Sequence, residues 1–217
     1  MSTIKNKDLK RHITDISYKK GLSHLGSVLT AVDIIHEIFK IKKLDEKFVL
    51  SSGHAALALY VVLEKYGGRN AEEIFDHHGV HPDRCHSCNI DVSGGSLGHG
   101  IGIAVGMALA DVSKNVYCLI SDGECAEGSV WEALRIRKEQ NLNNLRICVN
   151  INSYGAYQQI DNQWLKDRLW SYESLRYPFH IYETNFDILL PILREPQEAH
   201  YKVLNEKEYD YLMNVLK

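Results

Sequence analysis

Residues 116–152 read VYCLISDGECAEGSVWEALRIRKEQNLNNLRICVNIN, and this stretch decides the fold. Val116–Ile120 is a continuous apolar run of the kind buried on both faces of a sheet. Glu127–Gln140 predicts a helix, and Leu145–Ile151 is a second apolar run. Strand, helix and strand in this order predict a parallel pair, whose ligands bind beyond the carboxyl ends of the strands. Ser121-Asp122-Gly123-Glu124 follows the first run and Asn152 closes the second, so adjacent strand ends would bring Asp122 and Asn152 together. An Asp carboxylate and an Asn carbonyl are hard oxygen donors suited to Mg²⁺ or Ca²⁺. Gly123 would let backbone approach a phosphate, and the following helix N-terminus favours an anion. The pattern reads as a metal–diphosphate site. An ordinary strand–turn–helix with an N-capping Asp has the same Asp-Gly pair, and spacing alone leaves both open.

The alternation continues outward. Phe48-Val49-Leu50 predicts a short strand that leads through Ser51-Ser52-Gly53 into an apolar helix beginning near His54. Before it, Leu9, Ile13 and Ile16 recur at helical spacing up to Gly21, and Val28, Val32, Ile35 and Phe39 mark a second amphipathic helix. Asn70 stands three residues ahead of Glu73, a capped helix start. Residues 79–95 are irregular and polar, and a loop this long is usually functional or disordered. Leu97–Asp111, rich in Gly and Ala, predicts a closely packed helix. Phe179–Tyr182 and His200–Leu204 predict two more strands, and Asp187–Arg194 and Glu206–Leu216 two more helices. The fold class is α/β, a mainly parallel sheet with helices on both faces.

Composition narrows the function. The chain has 217 residues, which at about 150 per domain reads as a single domain over 1–217. Hydrophobic residues at 45% and charged residues at 24% exclude wholesale disorder. Lys and Arg number 25 against 28 Asp and Glu, and a net charge of −3 excludes a nucleic-acid binder driven by bulk charge. No apolar run reaches the ~18 residues of a membrane span. Met1–Lys10 is polar and lacks the apolar core of a signal peptide. The expectation is a cytoplasmic protein that binds neither nucleic acid nor membrane. Cys85, Cys88, Cys118, Cys125 and Cys148 are odd in number and scattered, which suits free thiols.

Taken in order, the motifs resemble those of the transketolases. Asp122-Gly123-Glu124, then Glu127-Gly128-Ser129-Val130-Trp131-Glu132, then Asn152, is similar to that family's thiamin-diphosphate motif, and most similar to the separate N-terminal subunit of split transketolases. Ser23-His24-Leu25-Gly26 resembles the family's Gly-His-Pro-Gly turn, and Leu50-Ser51-Ser52-Gly53-His54 its LSxGH segment. His81-Pro82-Asp83 resembles its His-Pro, and Gly95-Ser96-Leu97-Gly98-His99-Gly100 its Gly-Pro-Leu-Gly-Gln-Gly. The resemblance is strongest over 10–161, and 162–217 diverges. It implies a thiamin-diphosphate-binding fold of the pyrophosphate-domain type, with thiamin diphosphate and Mg²⁺ (or Ca²⁺) as cofactors. Asp122, Asn152 and the Tyr154 carbonyl would hold the metal. Gly95, Leu97, Gly98, Gly123 and Glu124 would flank the cofactor, Gly123 at the diphosphate and Leu97 against the rings. His24, His54 and His81 would meet a ketose or polyol and move protons. Glu127 and Glu132 complete the implied catalytic set, at a subunit interface where they link to a partner's glutamate. The implied activity is a transferase reaction that moves a two-carbon ketol unit between a ketose and an aldose, with the carbanion chemistry supplied by the cofactor.

The resemblance also implies a partner. The family clasps its cofactor between two domains from different subunits, and this chain matches only the diphosphate side. The expectation is a separately encoded pyrimidine-domain subunit, a heterotetramer of two of each, and a phosphorylated or otherwise activated sugar as substrate. A thiamin-dependent decarboxylase or 2-oxoacid dehydrogenase component, and a non-catalytic subunit that keeps the fold, stand as alternatives. The pattern departs from the family at Ser121 (usually Gly), at His99 (usually Gln) and at Ser153, where Gly normally follows the Asn. Pro196–Leu204 is the sole candidate for the family's last strand and its active-site His; it lacks the glycines, so no His role is carried over. Gly98, Gly100 and Gly102 imitate a nucleotide loop but enter a helix from a loop and not from a strand, which points to close packing. His81-x3-Cys85-x2-Cys88, with His77, His78 and His86 nearby, has zinc-ligand spacing without a second Cys pair; such an ion would order the loop that carries His81.

Overall fold

Four strands, β1 (Lys47–Leu50), β2 (Val116–Ser121), β3 (Leu145–Ile151) and β4 (Phe179–Glu183), pair in parallel in the order β1-β2-β3-β4. This computed structural model describes residues 4–153, 155, 159–172, 179–184 and 200–217. Successive strand side chains point to opposite faces, and parity sorts the core. Val49, Cys118, Ile120, Ile147, Val149 and Ile151 pack on one face of the sheet. Phe48, Leu50, Tyr117, Leu119 and Cys148 pack on the other. Helices α5 (Gly100–Ala110), α6 (Gly128–Glu139) and α7 (Asn162–Trp170) cover the first face. Helices α1 (Lys7–Lys20), α2 (Leu25–Ile41), α3 (Ala56–Lys65), α4 (Ala71–His78) and α8 (Glu206–Val215) build the layer on the second. The α/β reading with helices on both faces holds.

Local chemistry sets the element ends. The Asn70 side chain accepts hydrogen bonds from the N–H groups of Glu72 and Glu73 and starts α4. Helix α5 begins at Gly100 and not at Leu97, because Gly98 takes a left-handed φ of +72° that no helix continues through. The strand expected at His200–Leu204 is absent: His200 and Tyr201 are helical, 202–205 is irregular, and Leu204 turns into the core. Helix α7 went unanticipated. Its signals are the Asp161 side chain capping the Trp164 N–H and the pair Leu165 and Leu169, buried one turn apart. The helix expected at Asp187–Arg194 lies outside the described residues. The expectation of five free thiols fails at Cys85 and Cys88. A short 3₁₀ turn over His86–Cys88 brings their Cα atoms to 5.2 Å and the two are bridged, while Cys118, Cys125 and Cys148 are free and buried.

Candidate functional site

The parallel register places the tips of β2 and β3 side by side. Ser121 pairs with Asn150, and the Asp122 N–H donates to the Asn150 carbonyl at 2.9 Å. From there the Asp122 side chain reaches across. Its Oδ2 accepts from the Asn152 N–H at 2.8 Å and the Ser153 N–H at 2.6 Å, and its Oδ1 from the Gly123 N–H at 2.9 Å. Asp122 is only 2% exposed. Among the described residues it has these backbone donors but no basic side chain paired with it, and burial outweighs the donors and lifts its carboxyl to about 6. Ser153 holds the left-handed backbone, φ +66°, that lets its N–H join this set. The Asn152 amide nitrogen turns toward Thr30 Oγ1 on α2, at 3.1 Å.

Glu124 is fully buried and does different work. One carboxylate oxygen accepts from the Ser51 hydroxyl at 2.6 Å and the Gly98 N–H at 2.9 Å, and the other from the Ser121 N–H at 3.1 Å. It ties the tips of β1 and β2 to the loop ahead of α5. Gly98 has no room for a side chain there. A Cβ would come within 2.5 Å of Ser129 Oγ and 2.8 Å of Glu127 Cβ, and Ser129 Oγ donates to the Gly98 carbonyl at 2.9 Å. Close packing, as the sequence implied, is what this glycine serves. Glu124 and Gly98 therefore form the wall of the site and not its lining.

A cavity of about 170 Å³ opens beside Asp122, Gly123 and Asn152. Gly95 and Leu97 line it from the loop before α5, and His24, His54 and His81 from three other segments. Eight of the residues singled out in the sequence thus converge: His24, His54, His81, Gly95, Leu97, Asp122, Gly123 and Asn152. Glu127 and Glu132 do not reach the cavity. Glu127 is the residue before α6, and Glu132 is exposed on that helix and bonded to Arg135. Tyr154 lies outside the described residues.

Two lining residues were missed, Ser27 on α2 and His200. The His200 ring stands 4.4 Å from that of His24, edge to face, and the His200 carbonyl accepts from the His24 N–H at 3.1 Å. The His54 ring is 5.3 Å from His24 and 6.1 Å from His200. Burial, with the neighbouring imidazoles adding to it, lowers His54 to about 3 and His24 to about 4; burial lowers His200 as well. All three are neutral at pH 7, so each offers one donor and one acceptor. His24 itself takes a left-handed φ of +63°, a strain that clusters at functional sites. His200 Nδ1 is buried without a hydrogen-bond partner among the described residues.

Residues 9–188 match the family described as transketolase, thiamine diphosphate binding domain. The chain belongs to that family. It is 34% identical over 167 residues to transketolase-like protein 2 of Homo sapiens, a match covering 68% of this chain and 27% of that protein. It is 28% identical over 218 residues to one subunit of the apulose-4-phosphate transketolase of Phocaeicola vulgatus, covering 88% of this chain and 75% of that one. The chain thus spans about a quarter of the first and three-quarters of the second. In fold it is similar to the transketolase of Campylobacter jejuni, with a TM-score of 0.73 and 18% identity over 99% of this chain and 43% of that chain. Within this transketolase fold, Ser153 keeps a glycine-type backbone where the family's Gly would stand.

Proposed function

We propose that this chain, as one domain, is the diphosphate- and metal-holding subunit of a two-component transketolase that moves a two-carbon ketol unit from a ketose to an aldose. The observation that carries this reading is the Asp122 carboxylate, buried at the strand tips with backbone donors and, among the described residues, no basic side chain paired with it. A buried charge needs an opposite one, and Mg²⁺ or Ca²⁺ would supply it through hard oxygens. The residues fit that ion: Asp122, Asn152 and the Tyr154 carbonyl would hold it. Gly123 would face the diphosphate and Leu97 the rings. Bound thiamin diphosphate supplies the carbanion-stabilising centre that ketol transfer requires. The chain's own residues bind and orient. Neutral His24, His54 and His200, with His81 beside them, would donate to and accept from sugar hydroxyls and move protons between them. A neutral lining of this kind favours a sugar over the carboxylate of a 2-oxoacid.

The cavity of about 170 Å³ is by itself smaller than the ~300–1,000 Å³ of a typical ligand pocket, but a second of about 550 Å³ adjoins the same Asp122 and Gly123, so there is room for a ligand on both sides of the carboxylate. The partner would be a separately encoded pyrimidine-domain subunit, in a heterotetramer, with Glu127 and Glu132 directed toward it. Buried free thiols at Cys118, Cys125 and Cys148 fit a reducing, cytoplasmic setting, in which the Cys85–Cys88 bridge would be opened. Among the described residues no helix is long and apolar enough to cross a membrane.

The test is a thermal-shift titration with Mg²⁺ and thiamin diphosphate, the partner present. A cofactor at 100 times its dissociation constant should add about 2.7 kcal/mol. Asp122→Ala should abolish the gain; if the gain survives, the metal assignment is wrong. Cofactor binding without transfer from any ketose to any aldose would support the non-catalytic alternative.

A further inference from the structure

Away from the cavity, the fold brings together a second set of ligand atoms. His78 at the end of α4 and Cys85 and Cys88 in the following loop place one imidazole nitrogen and two sulfurs within 4.8 Å of one another. His78 Nε2 lies 3.5 Å from Cys88 Sγ. Cys88 is buried, and Cys85 and His78 are half-buried, so the group is shielded yet reachable. The sequence spacing had pointed to His81 as the companion of the two cysteines. The structure turns His81 to the cavity and supplies His78 in its place.

We propose that, once the Cys85–Cys88 bridge is reduced, His78, Cys85 and Cys88 bind one Zn²⁺ ion. Two thiolates and an imidazole are a soft-to-borderline donor set, which suits Zn²⁺ and does not suit Mg²⁺ or Ca²⁺. Ligand atoms on a tetrahedral zinc stand roughly 3.5–3.8 Å apart at ordinary Zn–S and Zn–N lengths. The observed 3.5 Å between His78 Nε2 and Cys88 Sγ already has that spacing. Opening the bridge takes two electrons and two protons: a pair of thiols supplies both and leaves as a disulfide, whereas a phosphine supplies the electrons and takes up the oxygen of a water molecule to become the phosphine oxide, that water giving the protons. Zn²⁺ then replaces the two thiol protons, which leave to solvent, and the metal undergoes no redox change. A water or His77, whose ring is 4.6 Å from that of His78, takes the fourth position.

The ion would tether α4 to the loop across Gly79. That loop otherwise holds itself by the paired backbones of Cys85 and Ile90, the Gly94 N–H on the Pro82 carbonyl, and the Arg84 N–H on Ser93 Oγ. Exposed Arg84 adjoins Cys85 in the chain, so tryptic cleavage there reports the tether. The site stands independently of the ketol-transfer reading.

The test uses the full chain, reduced with a phosphine, and needs neither thiamin diphosphate nor the partner. Elemental analysis should find one zinc per chain, and Co²⁺ titration should show a sulfur-to-cobalt charge-transfer band. Zn²⁺ should slow cleavage after Arg84. Cys85→Ser with Cys88→Ser should abolish the band. His78→Ala, which keeps both thiols, should weaken Co²⁺ affinity by more than the ~10–100-fold seen for loss of an outer-shell partner. His78→Ala alone decides the matter if the serine variant fails to fold. Reduced wild-type chain that takes up no more metal than the serine variant, or His78→Ala with wild-type affinity, would overturn the proposal.

Discussion

Asp122 Oδ2 accepts hydrogen bonds from the N–H groups of Asn152 and Ser153, at 2.8 and 2.6 Å, across neighbouring strand tips 30 and 31 residues apart in sequence. Those bonds fix the carboxylate in place, and burial still lifts its pKa to about 6. The site is therefore built with a deficit of positive charge at the end of a sheet, where a fold of this type binds its ligands. Three neutral imidazoles line the same cavity. The fixed anion and the neutral hydrogen-bonding wall divide the work: one end holds a cation and what it bridges, and the other meets hydroxyls.

Asp122 and the histidines pull stability in opposite directions with pH. Asp122, raised from 3.8 to about 6, holds its proton more tightly folded than unfolded. Its contribution is fully present below 3.8 and lost as pH rises through about 6, a swing of about 3 kcal/mol. His54 and His24 fall from 6.5 to about 3 and about 4. Their contribution is present above 6.5 and lost as pH drops toward those values. The His54 displacement is the largest, so acid destabilises the metal-free chain. Asp122→Ala should steepen that acid loss between about 6 and 3.8, and His54→Gln should flatten it. Urea unfolding across this pH range checks both, and parallel wild-type and Asp122→Ala curves would refute the first.

The Asp122–Asn152 juxtaposition was legible because parallel pairing forces the carboxyl ends of β2 and β3 onto one edge. The two core faces were legible for a similar reason, since strand side chains alternate. Glu124 was not. Its partners Ser51 and Gly98 lie 73 and 26 residues away, so its sequence neighbourhood suggested a cofactor ligand where tertiary contacts make it a clamp. His200 was missed as a lining residue because Pro196–Leu204, though the sole candidate for the family's last strand and its active-site His, lacks the glycines that would have carried the role over. A backbone contact with His24, made only when the chain returns to the cavity, puts it there. Neither did the spacing reveal that His78, and not His81, faces the cysteines.

Gly98→Ala should be costly. The new Cβ meets Ser129 Oγ and Glu127 Cβ at 2.5 and 2.8 Å, and the residue must keep a φ of +72°. Overpacking and left-handed strain each cost about 1–3 kcal/mol, so a loss of about 2–6 kcal/mol in denaturant unfolding is expected. A loss under about 1 kcal/mol would mean that the start of α6 yields freely.

Glu124→Gln tests the clamp. The carboxylate faces three donors, the Ser51 hydroxyl and the Gly98 and Ser121 N–H groups. An amide NH₂ must oppose at least one of them, leaving buried donors unpaired at about 1–3 kcal/mol. Unfolding stability should drop by that amount, and amide exchange at Gly98 should quicken. Unchanged exchange at Gly98 would show that the loop is held by Ser129 alone.

His200→Ala separates a working imidazole from a structural one. The ring packs edge to face on His24 at 4.4 Å, but the contact that holds His24 in its left-handed turn is made by the His200 backbone carbonyl, which alanine keeps. His200 Nδ1 is buried and unpaired among the described residues, and a buried polar atom of that kind calls for a partner the ligand would bring. With the partner subunit present, the variant should keep its cofactor-dependent thermal shift. It should lose about 10²-fold or more in kcat/KM for ketol transfer, the scale of a lost proton-moving group. Transfer at the wild-type rate would confine His200 to packing. A lost thermal shift would instead place it among the groups that shape the cofactor pocket, because only the ring has been removed.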